Sequence, residues 1–152
     1  MKKIRVLFLF VFIPFAAFFA SCDKGATYPL APELSADINN VNWATSGVAL
    51  NASGNQITIK AANPAGGGLV INMPAGITAG TYSLSQTSNC NAIYTSILNS
   101  AVNNFYSVSG TLVIAISPPG QFEGSFSFTA VNILVPSTKV NVTNGIFSLN
   151  ND

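Results

Sequence analysis

Residues 122–130 read Phe-Glu-Gly-Ser-Phe-Ser-Phe-Thr-Ala, with Phe, Gly and Ala at even positions and Glu, Ser and Thr at odd positions. Successive side chains of a β-strand point to opposite faces of the sheet. This period of two therefore predicts a strand with one face on a core and the other in water. We expect Phe122, Phe126, Phe128 and Ala130 to face that core.

The same period recurs through most of the chain after residue 33. Many short strands with turn residues between them are typical of antiparallel sandwiches and small barrels. The sequence thus predicts a single all-β domain of about 8–10 strands, either a β-sandwich or a small β-barrel. The apolar stripes are Ile57, Ile59 and Ala61; Leu69, Ile71 and Met73; Tyr82 and Leu84; Tyr106, Val108, Leu112, Ile114 and Ile116, with Gly110 as a bend; and Val140 with Val142.

Turn residues stand where the apolar stripes stop. Asn39-Asn40 predicts a hairpin ahead of Trp43, because Asn tolerates the left-handed backbone conformation that a tight turn needs. Residues 63–68, Asn-Pro-Ala-Gly-Gly-Gly, predict a second break between strands, and Pro118-Pro119-Gly120 predicts a third.

Two stretches leave alternatives open. Near Asn144-Gly145 the parity of the apolar residues changes, so that Phe147 and Leu149 follow Val140 and Val142, which predicts either a tight hairpin or a β-bulge. Residues 91–102 fit either a short helix or a strand over 92–95.

The N-terminus is typical of a bacterial lipoprotein signal peptide. Three cations within the first five residues precede an apolar run over residues 4–20, and small residues lead into Cys22. We expect the Cys22 thiol to carry a diacylglyceryl thioether, and the new amino group an acyl chain such as palmitate. The alternatives are a secreted chain cut after Ala20 and an uncleaved membrane helix, which Pro14 would interrupt.

The predicted organisation is a signal peptide over residues 1–21, a lipid-anchored tether over 22–32 and the all-β domain over 33–152. Gly25, Pro29 and Pro32 make the tether a poor candidate for a helix or a strand. We find no internal repeat and no second linker.

Removal of the leader changes the charge of the chain. The remaining charged side chains are five carboxylates and three lysines, Lys24, Lys60 and Lys139, so the charge becomes weakly negative. The chain contains no histidine. A weakly acidic chain without a basic patch is not expected to bind nucleic acid.

Catalytic residues are scarce. Most nucleophilic, zinc-dependent and acid–base mechanisms use His, and a glycosidase needs two adjacent carboxylates. Glu33 borders the tether, while Asp37 and Glu123 alternate with apolar residues and should lie on solvent-facing sides of strands. We therefore expect no catalytic site, no metal site and no cofactor.

Cys90 has no partner in the chain if Cys22 is lipidated. It is then either a reactive thiol or a neutral, partly buried one, and the absence of a neighbouring cation favours the second. The aromatic residues could line a sugar-stacking surface, but their strand parity favours packing in the core. They are Trp43, Tyr82, Tyr94 and Tyr106.

Four segments carry a family resemblance: residues 36–43, 80–84, 123–130 and 142–147. Together they resemble a group of small Bacteroidetes-type lipoproteins classed as a domain of unknown function. The resemblance implies an all-β lipoprotein and favours the outer membrane, facing the periplasm or the cell surface, and it implies no activity.

Three functions remain open. The first is a non-catalytic envelope lipoprotein whose domain binds a protein or glycan ligand. The second is a barrel that carries a small apolar ligand, and the third is a carbohydrate-active enzyme. A filled core with a flat polar face would favour the first, an enclosed apolar cavity the second, and a cleft joining Asp37 to Glu123 the third.

Overall fold

The structure, a computed structural model, describes residues 34–63, 67–98, 100–116 and 121–150. The signal peptide, the tether and the turn at Pro118-Pro119-Gly120 lie outside these residues.

Ten β-strands and one short 3₁₀ helix make up the described part of the chain. Residues 91–102 fit either a short helix or a strand. In the structure they begin with the strand Asn91–Thr95 and end in the 3₁₀ helix Ala101–Asn103. The strands are β1 (Leu34–Ile38), β2 (Val41–Thr45), β3 (Val48–Ser53), β4 (Gln56–Ala62), β5 (Gly68–Pro74), β6 (Gly80–Ser83), β7 (Asn91–Thr95), β8 (Asn104–Ile116), β9 (Gln121–Asn132) and β10 (Lys139–Asn150).

All paired strands run antiparallel in one sheet, in the order β2-β1-β10-β9-β8-β7-β5-β4-β3. Strand β8 has β9 along one side, while β7 and β6 pair with its first and second halves on the other side. The all-β prediction is thus confirmed.

The sheet curls into a nearly closed barrel. Strands β2 and β3, at the two ends of the strand order, are joined by Ser46 and Gly47 alone. The end of β2 is also bonded to the end of β4, because Thr45 Oγ1 donates to Ala62 O at 2.7 Å and Asn63 Nδ2 donates to Ala44 O at 3.0 Å. Of the two predicted architectures, the structure has the barrel-like one.

Strand β9 has the predicted orientation. Phe126, Phe128 and Ala130 are buried, Phe122 is half-buried, and Ser127 on the opposite face is exposed. The predicted inward stripes of β4 and β5 and the position of Trp43 are confirmed as well. The fully buried side chains of this core include Leu34, Ile59, Leu69, Ile71, Met73, Leu84, Leu112, Ile114 and Val142.

Glycine and phenylalanine alternate across the inner face of the three long strands. A Cβ on Gly110 would lie 2.4 Å from Phe128 Cβ, and one on Gly124 would lie 2.4 Å from Phe147 Cζ. At Gly124 and Gly145 a Phe ring occupies the space where a side chain would lie. Ring centroids of Phe126 and Phe147 are 6.4 Å apart.

The parity change in β10 is a β-bulge. Val142 pairs with Phe128 and Gly145 pairs with Phe126, so β10 contains one more residue than β9 between these pairs. Asn144 has a φ of 53°, in the left-handed region that Asn tolerates better than most residues. The extra residue returns Phe147 to the core.

The predicted stripe of β8 is wrong in its first half. Phe105 and Ser107 are buried, whereas Val108 is exposed and Tyr106 is half-buried on the outer face. The register against β9 shifts between Ser107 and Ser109, and this irregularity reverses the parity before Leu112. A run of apolar residues with constant spacing therefore crosses from one face of the sheet to the other.

The first hairpin is as predicted. Asn39 and Asn40 join β1 to β2 with φ angles of 49° and 66°, as a type I′ turn requires. Asn39 also bonds the neighbouring strand, since its Oδ1 accepts from Asn141 N at 2.9 Å.

Candidate functional site

The predicted carboxylates lie apart on the outer face of the barrel. Asp37 Oδ2 accepts a hydrogen bond from Asn144 Nδ2 at 2.8 Å, and Glu123 Oε1 accepts one from Ser148 Oγ at 3.2 Å. Asp37 pairs with Thr143 of β10 and Glu123 pairs with Ser148, five residues further along that strand. This separation is roughly 17 Å along the strand.

Glycosidases hold their two carboxyl groups roughly 5–9.5 Å apart. Asp37 and Glu123 are therefore not a glycosidase pair. In the described ranges, no three His, Cys, Asp or Glu side chains are close enough to hold a metal ion.

Cys90 is buried in the core and is 2% exposed. Burial raises the pKa of its thiol, so the neutral form is favoured over the reactive thiolate. This environment agrees with the prediction of a neutral thiol. Cys22, the predicted lipidation site, lies outside the described residues.

The aromatic residues divide between the core and the surface. Trp43 is buried, Tyr94 packs against Phe105 with ring centroids 6.1 Å apart, and Tyr82 packs against the core edge. Burial also raises the pKa of Tyr94. The prediction of core packing is confirmed for these three and is wrong for Tyr106, which faces outward.

A shallow groove crosses the outer face of β8, β9 and β10. Its volume is about 430 Å³, and it lies over the bulge at Asn144. Four of its eight lining residues carry a hydroxyl or amide side chain, and no side chain in the lining is charged. This polar groove is lined by Thr111, Val113, Ser125, Phe126, Ser127, Asn144, Gly145 and Ile146.

The most distinctive surface is apolar and lies at one end of the barrel. It is formed by the β7–β8 and β9–β10 connections, which lie side by side. Six of the ten large hydrophobic side chains that are exposed in the described part of the chain belong to it. We call this surface the apolar tip: Ile97, Leu98, Val102, Ile133, Leu134 and Val135.

Asn132 holds the two connections of the apolar tip together. Its side chain is almost buried, and its Oδ1 accepts from Leu134 N at 2.8 Å and Val135 N at 3.2 Å. Its Nδ2 donates to Val102 O of the other connection at 2.7 Å. One amide side chain therefore fixes the β9–β10 turn and joins it to the β7–β8 turn.

Behind the tip lies a cavity of about 250 Å³ that is open to solvent. Val102, Ile133 and Leu134 contribute aliphatic side chains to its lining, and Tyr106 also lines it. The outward position of Tyr106, which the β8 bulge imposes, thus extends the apolar surface.

Sequence reasoning did not identify the apolar tip. The available signal was Ile133-Leu134-Val135, three consecutive aliphatic residues that interrupt the period of β9 just before Pro136. Such a run does not fit a half-buried strand. The spacing of Ile97 and Leu98 with Ile93 and Ala101 fits a short helix instead, so it gave no sign of an exposed surface.

Across the described residues, no helix has the length and apolar character needed to span a bilayer.

Comparison with protein families gives one match. The model of the family described as "Domain of unknown function (DUF6252)" matches residues 31–149. No curated protein matches the chain at a significant level. No solved structure matches it at that level either.

Proposed function

This chain belongs to the DUF6252 family, and we propose that it is a non-catalytic, lipid-anchored binding module of the cell envelope. In this proposal Cys22 carries the lipid, the tether links it to the barrel-like domain, and the apolar tip is the binding surface. The domain faces the periplasm or the outside of the cell from the outer membrane.

The apolar tip is the observation that carries the proposal. Exposed apolar side chains gathered at one place on a protein surface are characteristic of interaction sites. Ile133, Leu134 and Val135 are 57%, 67% and 51% exposed, although they follow one another in the chain. Asn132 holds their backbone in place, so the exposure belongs to an ordered turn.

The interior of the barrel favours a binding module over a carrier. Phe rings of β9 and β10 meet inside it at centroid distances of 5.5–6.4 Å, and aliphatic side chains with no exposed surface surround them. The grooves described above are open to solvent. A carrier of an apolar ligand would instead need an enclosed cavity.

The separation of Asp37 from Glu123 favours a binding module over an enzyme. Each carboxylate is bonded to a neighbouring amide or hydroxyl group on the outside of the sheet. Neither faces the other across a cleft.

The polar groove supports a second candidate surface, for a glycan. Its uncharged hydroxyl and amide groups can bond sugar hydroxyls, and Val113 and Ile146 add small apolar contacts. We rank it second because the groove is shallow and has no exposed aromatic side chain on which a sugar ring could stack.

Photo-crosslinking in cells tests which surface binds. A photoreactive amino acid replaces Leu134 in one variant and Ser127, which is exposed in the polar groove, in a matched control. We expect the photoreactive group at position 134 to form a covalent adduct with the bound partner, and the group at position 127 to form little. Adducts at 127 alone would assign binding to the polar groove, and no adduct at either position would contradict a binding module.

A further inference from the structure

We propose that the apolar tip docks on the surface of a phospholipid bilayer and inserts its aliphatic side chains among the lipids. The inference rests on the proposed function, because it names what the binding surface contacts. It would fix the orientation of the domain on the membrane, which a lipid anchor alone leaves free.

The composition of the apolar tip favours lipid over a protein partner. All six of its side chains are Ile, Leu or Val. Energetically dominant positions of protein–protein interfaces are enriched in Trp, Tyr and Arg, whereas Leu and Val are under-represented there. Exposed aliphatic side chains on a turn instead match the apolar contacts of proteins that rest in the membrane interface.

Three backbone N–H groups of the β9–β10 turn are already internally bonded, which lowers the cost of inserting this turn into lipid. Backbone groups that leave water without a partner are costly in hydrocarbon. In the β9–β10 turn, Leu134 N and Val135 N donate to Asn132 Oδ1, and Thr138 N donates to Val135 O at 2.8 Å. The turn therefore presents its side chains outward with these backbone N–H groups internally bonded.

Polar and charged groups around the tip suit the lipid headgroup region. Lys139 is the first charged residue after Asn132, and it is exposed. Residues 96–103 and 133–138, which form the two connections, contain no charged residue. Tyr106 lies behind the aliphatic side chains, and Tyr is enriched at membrane interfaces.

The predicted anchor brings the tip within reach of its own membrane. Residues 22–33 are twelve in number and span at most about 40 Å. Leu34 pairs with Phe147, and Lys139 lies eight residues earlier in β10, or roughly 26 Å along the strand. A lipid on Cys22 can therefore occupy the bilayer on which the tip rests, and this raises the local concentration of the tip at the bilayer.

Fluorescence of the anchored protein tests the proposal. In the lipidated chain the Cys22 thiol is blocked and Cys90 is buried, so Leu134→Cys provides a unique labelling site. Ala115→Cys, exposed on β8 near the opposite end of the barrel, is the control. After reconstitution into vesicles of phosphatidylethanolamine and phosphatidylglycerol, lipids with brominated acyl chains should quench a dye at position 134 and spare one at 115. Equal quenching, or quenching at 115 alone, would overturn the proposal.

A lipid-free form separates the tip from the anchor. In the mature chain with Cys22→Ser, we expect Leu134→Asn to lower partitioning into the same vesicles by about tenfold. Val108→Asn, a matched change of a 46% exposed aliphatic side chain on β8, should leave it unchanged. Lys139→Gln should lower it about fivefold, and only when anionic lipid is present. Unfolding midpoints check that each variant remains folded.

Other occupants of the tip would give different results. A lipid-free chain whose dye at position 134 responds to protein concentration, and not to vesicles, would assign the tip to a second copy and overturn bilayer docking. Protein adducts at position 134 in cells, with no quenching on vesicles, would also overturn it while the proposed binding module stands. Only the absence of every adduct in cells contradicts the binding module itself.

Discussion

At the scale of single residues, Asn132 shows how one buried polar side chain can position an apolar surface. Its amide accepts two backbone hydrogen bonds within its own turn and donates one to Val102 O in the neighbouring turn. The amide is suited to this position because a single side chain supplies both an acceptor and a donor.

We predict that Asn132→Ala lowers the free energy of unfolding by about 1–3 kcal/mol, because partly buried backbone groups lose their partners. Asn141→Ala is the matched control: the Asn141 side chain accepts one exposed hydrogen bond from Thr129, and its loss should cost less than about 1 kcal/mol. Urea denaturation at unchanged slope measures both. Equal losses in the two variants would contradict the role given to Asn132.

At the scale of strands, the two-residue period decides which face of β9 is buried. Phe128 is 4% exposed, and the ring of Phe126 is 6.3 Å from its own. The neighbouring Ser127 faces solvent. The predicted difference between these two positions is therefore a direct test of strand register.

Phe128→Ala should destabilise the domain by about 3–5 kcal/mol, through lost burial and the cavity that remains. Ser127→Ala should change stability by no more than about 0.5 kcal/mol. Urea midpoints of the two variants give the comparison. A sensitive Ser127 and a tolerant Phe128 would mean that β9 is registered the other way and that its Phe side chains form an exposed patch.

Gly124 tests the contact between neighbouring strands. An added Cβ would lie 2.4 Å from both Phe147 Cζ and Val113 O, and the second is a backbone atom that cannot rotate away. Gly124→Ala should therefore cost about 1–3 kcal/mol. A Cβ on Gly76 would meet no atom within 4 Å, so Gly76→Ala should be neutral or slightly stabilising. Thermal unfolding of the two variants measures the difference. If Gly124→Ala were tolerated as well as Gly76→Ala, the close approach at Gly124 would be contradicted.

The strands also show what a single sequence can and cannot predict. An interruption in β10, either a hairpin or a bulge, was visible because the parity of its apolar residues changes around Asn144-Gly145, and the structure shows the bulge. The irregularity in β8 was hidden, because Tyr106 and Val108 are apolar enough to continue the stripe that Leu112 begins. Periodicity reveals a bulge only when the exposed residues are polar.

At the scale of the whole molecule, closure of the sheet and the apolar tip depend on long-range pairing. The alternating stripes predicted an all-β domain but fitted a sandwich and a barrel equally. The barrel-like form depends on the contact between the ends of β2 and β4, which Thr45 and Asn63 make. No local sequence pattern predicts this contact. The tip likewise joins residues more than thirty positions apart, so only the fold reveals it as one surface.

The proposed role of the molecule follows from this arrangement. The described residues place a core of buried aliphatic and Phe side chains in the barrel, separated carboxylates on its outside and an ordered apolar tip at one end. The core argues against a carrier, the separated carboxylates argue against a glycosidase, and the apolar tip offers a surface for binding. The proposed lipid anchor at Cys22 would place the tip next to a membrane.

The mass of the N-terminal peptide of the native protein tests that anchor most directly. We predict a mature chain that begins at Cys22 and carries a diacylglyceryl thioether and an acyl chain, and Cys22→Ser should abolish incorporation of labelled fatty acid. An unmodified peptide beginning at Ser21 would show an ordinary secreted protein. An intact leader beginning at Met1 would show an uncleaved helix, and either result would contradict the lipid-anchored module.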